Sequence, residues 1–192
     1  MAFISWLRLE KDRRENRCIF FTRVVIDVCS EFGVVAEPLS VTLELFNAIM
    51  ARQIQEGRSP QIASGMWFAP AFDPGAWGVG VDPSKPLSGP GWNGHLVAHV
   101  EGEQRFIMDL SQGQFSRPEY GMNYGPALLE IEAETSPPWS WTLPSGDHLT
   151  ITPCPQNNRW MTTPAWKLSP AGRRAVKQLI NGTRIELKHF VR

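Results

Sequence analysis

Between Asn16 and Phe46 the hydrophobic period of the chain changes once, from helical to extended, with Gly33 at the change. Cys18, Phe21, Val25, Val28, Cys29 and Phe32 recur at spacings of three and four, the stripe of a helix that faces a core. Ile19, Phe20, Val24 and Ile26 widen the stripe almost all round, so a helix over 17–32 has to be central and mostly buried. Asn16 suits its N-cap and Gly33 its C′ position. Beyond Gly33 the period is two: Leu39, Val41, Leu43 and Leu45 alternate with Ser40, Thr42, Glu44 and Phe46, a strand with Pro38 at its start.

The other elements are read the same way. Residues 3–13 fit a short amphipathic helix, and Ala48 to Gln55 a second one ended by Gly57. Residues 57–74 read as a long loop, Ala76 to Val81 as a strand, and the Pro- and Gly-rich run 82–94 as another long loop. His95 to Val100 and Arg105 to Leu110, joined by a polar turn, form the clearest hairpin. Residues 127–133 and 147–152 are weaker strands. A basic helix is expected over 169–181, with Ser169 as N-cap, Pro170 at its first position and Gly182 after its end, followed by a last strand at Ile185, Leu187 and His189.

At 192 residues without a linker, the chain suits one domain over 1–192. Composition at 42% hydrophobic and 20% charged is that of a folded, soluble protein. The 19 basic and 19 acidic residues cancel, which removes the long-range attraction a nucleic-acid partner needs. The apolar start Met1 to Leu7 is too short for a secretory signal, and nothing approaches the roughly 18 apolar residues of a membrane span. Three cysteines, at 18, 29 and 154, make no disulfide framework, so a reducing cytoplasm is the expected setting.

The chemistry is expected at the helix start. A thiol attacks as thiolate, and Cys18 stands two residues after the N-cap, where unpaired N–H groups and the helix dipole favour negative charge. Cys29, deeper in the stripe, lacks that advantage. A nearby histidine would complete the activation. His95 follows the Pro90-Gly91-Trp92-Asn93-Gly94 turn at the start of a strand; His99, four residues on, faces the same side deeper in the hairpin. Asp109 shares a face with His95 only if the hairpin turn has an odd number of residues. A Glu101–Glu103 turn would set the two directly opposite, whereas a two-residue Gly102-Glu103 turn would send Asp109 to the other face. For an oxyanion, the Cys18 backbone N–H is the first candidate donor, with Trp92, Asn93, Gln112 and Gln114 as possible side-chain donors or substrate contacts.

These residues carry a resemblance. A Cys at the start of a buried helix (Cys18), a strand ending in Phe46-Asn47, a Gly91-Trp92-Asn93-Gly94-His95 turn and an Asp at the end of the partner strand (Asp109) resemble the transglutaminase-like branch of the papain-fold cysteine enzymes, which includes the arylamine N-acetyltransferases. The resemblance covers about residues 16–118 and leaves 119–192 as a C-terminal elaboration. It implies an α+β fold, a papain-like core with the N-terminal helix packed on an antiparallel sheet. It also implies acyl transfer through a Cys18–His95–Asp109 triad and a thioester intermediate. The substrate would be a protein, a peptide or a small acyl or amine compound, with no cofactor and no metal.

Two rival readings use the same residues. His95, His99 and Asp109 could form a two-histidine, one-carboxylate metal site, which leaves the placement of Cys18 unexplained. Alternatively the fold is a non-catalytic binding module whose aromatic loops, with Trp67, Trp77, Trp92, Trp139 and Trp141, contact another protein.

Overall fold

The computed structural model of the chain describes residues 17–59, 61–63, 66–68, 73–81, 92, 94–168 and 170–190. The helix expected at 3–13 and the caps expected at Asn16 and Ser169 lie outside the described residues.

Helix α1 spans Arg17–Glu31. Its burial is concentrated in Cys18, Ile19, Thr22, Val24 and Val25, while Phe21, Val28, Cys29 and Phe32 are half-buried. The axis of burial therefore runs through the fully buried Ile19 rather than along the expected stripe. The helix stops where Gly33, at φ +71°, lets the Val34 N–H reach back to the Cys29 carbonyl at 2.9 Å.

Strand β1 (Val35–Phe46) organises the sheet. Val41, Leu43 and Leu45 on one face are buried in the main core, as the alternation requires. Along one edge of β1 lie two strands end to end: β4 (Gly78–Val81) on residues 43–46 and β5 (His95–Glu101) on residues 35–41. Its other edge pairs with β9 (His148–Pro153) only from Val41 onward. Pro38, expected at the strand's start, sits inside it, and its missing N–H costs no ladder bond because no described strand lies on that other edge there.

The remaining strands are β2 (Gln61–Ala63), β3 (Met66–Phe68), β6 (Arg105–Asp109), β7 (Ala127–Ile131) and β8 (Trp139–Thr142). Every pairing among the described residues is antiparallel. The path β8-β9-β1-β5-β6-β7 curls until its ends approach: the Trp141 indole N–H on β8 donates to the Glu130 carbonyl on β7 at 2.8 Å. A nearly closed, barrel-like sheet results, filled by Val41, Leu43, Val97, Ile107, Ile131 and Leu149 with Trp139. Helix α1 covers the other face of β1 and β5, where the Thr22 hydroxyl donates to the Leu96 carbonyl at 2.9 Å. The protein is thus mixed α and antiparallel β.

Two expectations need correction. Residues 57–74 are not loop throughout, since β2 and β3 fall there; three-residue strands in a Gly- and Pro-rich run carry too few residues to show a period. Strand β8, from the Trp pair, was likewise not legible. The strand expected at 185–189 is instead the end of helix α3 (Pro170–Phe190), which runs through Gly182. An interior glycine costs only about 1 kcal/mol, and Glu186, Leu187 and Lys188 all favour helix. Within 119–192, β7 and β9 join the sheet, and Val176 and Ile180 of α3 pack on Val24 of α1.

Helix α2 (Ala48–Gln55) forms where expected and is fixed by Asn47. The Asn47 Oδ1 accepts from Met50 N at 3.0 Å and Trp77 N at 3.1 Å, and its Nδ2 donates to the carbonyls of Gly75 and Tyr120. Asp147 supports the same turn, accepting from Ala48 N, Ser145 Oγ and the Tyr124 hydroxyl. That hydrogen bond and burial, burial first, push the Tyr124 hydroxyl well above the ordinary tyrosine range. No helix among the described residues is long and apolar enough to cross a membrane.

Candidate active site

His95 is the first residue of β5, at the point where the edge of β1 passes from β4 to β5. It is placed there by Gly94, whose φ of +152° disfavours L side chains; a Cβ would stand 2.6 Å from Cζ2 of Trp92. Trp92 is held in turn by its indole N–H, which donates to Asn157 Oδ1 at 2.9 Å. The imidazole is fully enclosed, with the Phe115 ring edge-on at 5.0 Å.

Strands β5 and β6 pair Ala98 with Met108, His99 with Ile107 and Val100 with Phe106. Glu101 still belongs to β5, so the turn is Gly102–Gln104 rather than Glu101–Glu103. It has the odd length that a shared face requires, but extending the register puts His95 across from Ser111 instead of Asp109. Asp109 lies one diagonal step away on the same face, within reach of a ring.

The Asp109 carboxylate divides its two oxygens. Oδ2 faces His95 Nε2 at 2.8 Å, and Oδ1 accepts from Ser111 N at 2.8 Å and Ser111 Oγ at 2.7 Å. One carboxylate therefore both caps the turn at Ser111 and holds the histidine. Ser111 is the supporting residue that sequence reasoning did not place in the site; the Asp-x-Ser spacing of an Asx-type turn was its signal.

The Cys18 thiol lies beside the His95 imidazole, whose Nε2 faces Asp109 and whose Nδ1 faces the Gln114 side-chain amide at 3.1 Å. Cys18 is the second residue of α1, so its own backbone N–H is among those a helix start leaves unpaired within the helix. Around it pack Ile19, Trp92, Leu96 and Trp160, with Trp166 against Trp160. Trp160 and Trp166 come from the C-terminal third of the chain, where no sequence signal pointed to the site.

Charge in this enclosure is strongly coupled. Burial alone would hold His95 neutral; the Asp109 charge and hydrogen bond overcome it, Cys18 adds its own hydrogen bond and charge, and the imidazole is lifted from 6.5 to about 10. Burial would likewise raise Asp109, but the His95 charge and hydrogen bond and the two Ser111 donors hold it below its ordinary 3.8. An imidazolium between a carboxylate and a sulfur is the favoured state.

The other expected donors are distributed differently. Gln114 places its side-chain amide 3.1 Å from His95 Nδ1: its Nε2 donates to Nδ1 when the ring is neutral, and the amide has to turn its oxygen there when the ring is an imidazolium. Gln112 is buried, and its Nε2 has no hydrogen-bond partner among the described residues. The Trp92 N–H is committed to Asn157, so Trp92 is not the free donor expected of it. Asn93 lies outside the described residues.

His99 shares the face of His95 but not its site: its ring stacks on Trp139 at 6.0 Å, and its Nδ1 stands 3.6 Å from Glu101. Among the described residues no group of three or more His, Cys, Asp or Glu side chains is arranged to hold a metal ion, so the two-histidine site is not formed. The aromatic contact surface is also diminished. Trp92 and Trp139 are buried, and Trp77 is half-buried and stacked on Tyr120 at 4.2 Å. No family model, curated protein or solved structure matches the chain.

Proposed function

We propose that the chain is a transglutaminase-like cysteine enzyme with a papain-like core, which transfers acyl groups through Cys18. The His95–Asp109 pair at 2.8 Å, with the Cys18 thiol beside the ring at a helix start, carries this reading. Cys18 is the nucleophile, His95 its acid and base, and Asp109 the group that orients the ring through Nε2.

With its proton on His95 Nδ1, the Cys18 sulfur attacks the carbonyl carbon of an amide, peptide or other acyl compound, and the π pair moves to oxygen. In this reading the Cys18 backbone N–H, at the helix start, receives that oxyanion, and the unpaired Gln112 amide is the candidate second donor. As the intermediate collapses, the bond to the leaving nitrogen breaks and Nδ1–H protonates it, leaving a thioester on Cys18 and a neutral imidazole. Acylation removes the sulfur charge that helped to lift His95, so the ring gives up its proton more readily at this stage. Nδ1 then takes a proton from water or an acceptor amine, which attacks the thioester and expels the thiolate.

Mixing the protein with p-nitrophenyl acetate tests this. A stoichiometric burst of nitrophenolate with one acetyl group on Cys18, absent from Cys18→Ser and strongly slowed in His95→Ala, is the expected result. Acetylation spread equally over Cys18, Cys29 and Cys154, or none at all, contradicts it.

A further inference from the structure

The barrel-like sheet is left open at one seam. Among the described strands β7 pairs only with β6 and β8 only with β9, so the facing edges of β7 and β8 lack strand partners. A cavity of about 340 Å³ lies there, lined by Glu130, Glu132, Thr135, Trp139, Ser140 and Trp141 among others. That volume is at the low end of ligand clefts.

The seam has a defined polarity. The Glu130 carbonyl faces it, since it accepts from the Trp141 indole on β8. In an antiparallel strand the residues whose backbone groups face one edge alternate, so the N–H and C=O of Leu128 face the seam with those of Glu130. Leu128 is 61% exposed. The Trp139 indole N–H is committed to the Thr135 carbonyl and that of Trp141 to Glu130; Trp139 is buried and stacked on His99, which leaves the Trp141 ring surface to meet a ligand.

Its charge is one-sided. Between Arg117 and Arg159 the chain has no Lys or Arg, while Glu119, Glu130, Glu132, Glu134 and Asp147 fall in that interval. Arg105, across the β6–β7 pair, donates its guanidinium to the backbone carbonyls of Glu132 and Ala133.

We propose that this seam binds an extended peptide segment carrying lysine or arginine side chains, which adds as a strand along the open edge of β7. The backbone of Leu128 and the Glu130 N–H supply the ladder bonds, the Glu130 carbonyl being held by Trp141; Glu130 and Glu132 pair with the cationic side chains, and the half-buried Trp141 ring receives their stems. The site is distinct from the triad. Trp139 reaches β5 at His99, about 13 Å along the strand from His95 at roughly 3.3 Å per residue.

Fluorescence anisotropy with a labelled peptide alternating lysine with valine and threonine, titrated with the full chain, tests this. Saturable binding is expected, weakened about tenfold or more in Glu130→Gln/Glu132→Gln and in Leu128→Pro, equivalent to about 1.4 kcal/mol. Leu128→Pro removes an edge N–H without touching the β6 ladder or either carboxylate. Should that variant misfold, the same peptide with proline at the alternate positions asks the question from the ligand side and has to bind at least about tenfold more weakly. Absence of saturable binding, equal affinity for the proline peptide, or unchanged affinity in the double glutamine variant overturns the proposal. None of these outcomes depends on Cys18 chemistry.

Discussion

Asp109 lies two residues out of cross-strand register with His95 and still holds its Nε2 at 2.8 Å, because both side chains leave the same face of the β5–β6 hairpin. The pair stores a pH dependence. His95, raised from 6.5 to about 10, contributes stability that is full below 6.5 and lost as pH rises through about 10. Asp109, held below 3.8, contributes stability present above that value and lost as pH falls through its folded one. The excess stability of the wild type over Asp109→Asn is therefore largest between 3.8 and 6.5 and shrinks from 6.5 toward 10. Urea denaturation of both proteins across this range measures it; an excess that is constant or grows with pH contradicts the ion pair.

Cys18 and Ile19 are adjacent and both buried, yet their replacements are expected to differ in kind. Cys18→Ser abolishes acetyl transfer and changes stability by less than about 1 kcal/mol, whereas Ile19→Ala costs about 2 to 5 kcal/mol by leaving a cavity. Chemical denaturation of the two variants decides it. A Cys18→Ser protein that is as unstable as Ile19→Ala would make the thiol a packing group.

How much of this was legible in the sequence depended on run length. The helix through Cys18, the strand through Val41 and the His95 hairpin carry long, unambiguous periods, and Cys18, His95 and Asp109 stand at the ends of these elements. The turn at Gly102–Gln104 does not, because Glu101 suits a strand end as well as a turn, and one residue of displacement moved the register by two. Beyond residue 118, Trp160 packs beside Cys18 through tertiary folding alone, with no spacing in the chain to announce it.

Asn47 bonds four backbone groups from within the protein. Asn47→Ala leaves several of them unpaired and is expected to cost about 2 to 4 kcal/mol, more than an exposed cap would. Thermal or urea unfolding checks this, and a loss below about 1 kcal/mol would mean that water replaces the side chain.

Gly94→Ala forces a Cβ to within 2.6 Å of the Trp92 ring at a strained φ. It is expected to destabilise by about 1 to 3 kcal/mol, to change the tryptophan near-ultraviolet circular dichroism, and to slow acylation of Cys18 as His95 shifts. A variant with native spectrum and rate would show that the 94–95 segment relaxes freely.

The central claim is that His95 activates Cys18, and the competition among the three cysteines tests it most directly. Cys18 is buried whereas Cys29 and Cys154 are partly exposed, so access alone makes Cys18 the slowest to alkylate. Burial also pushes the Cys29 thiol up, away from reaction. Iodoacetamide at neutral pH, followed site by site with mass spectrometry, is predicted to modify Cys18 first, and His95→Ala to slow that modification about tenfold or more while leaving the other two rates unchanged. Cys18 reacting last, or at a rate indifferent to His95, would contradict the account.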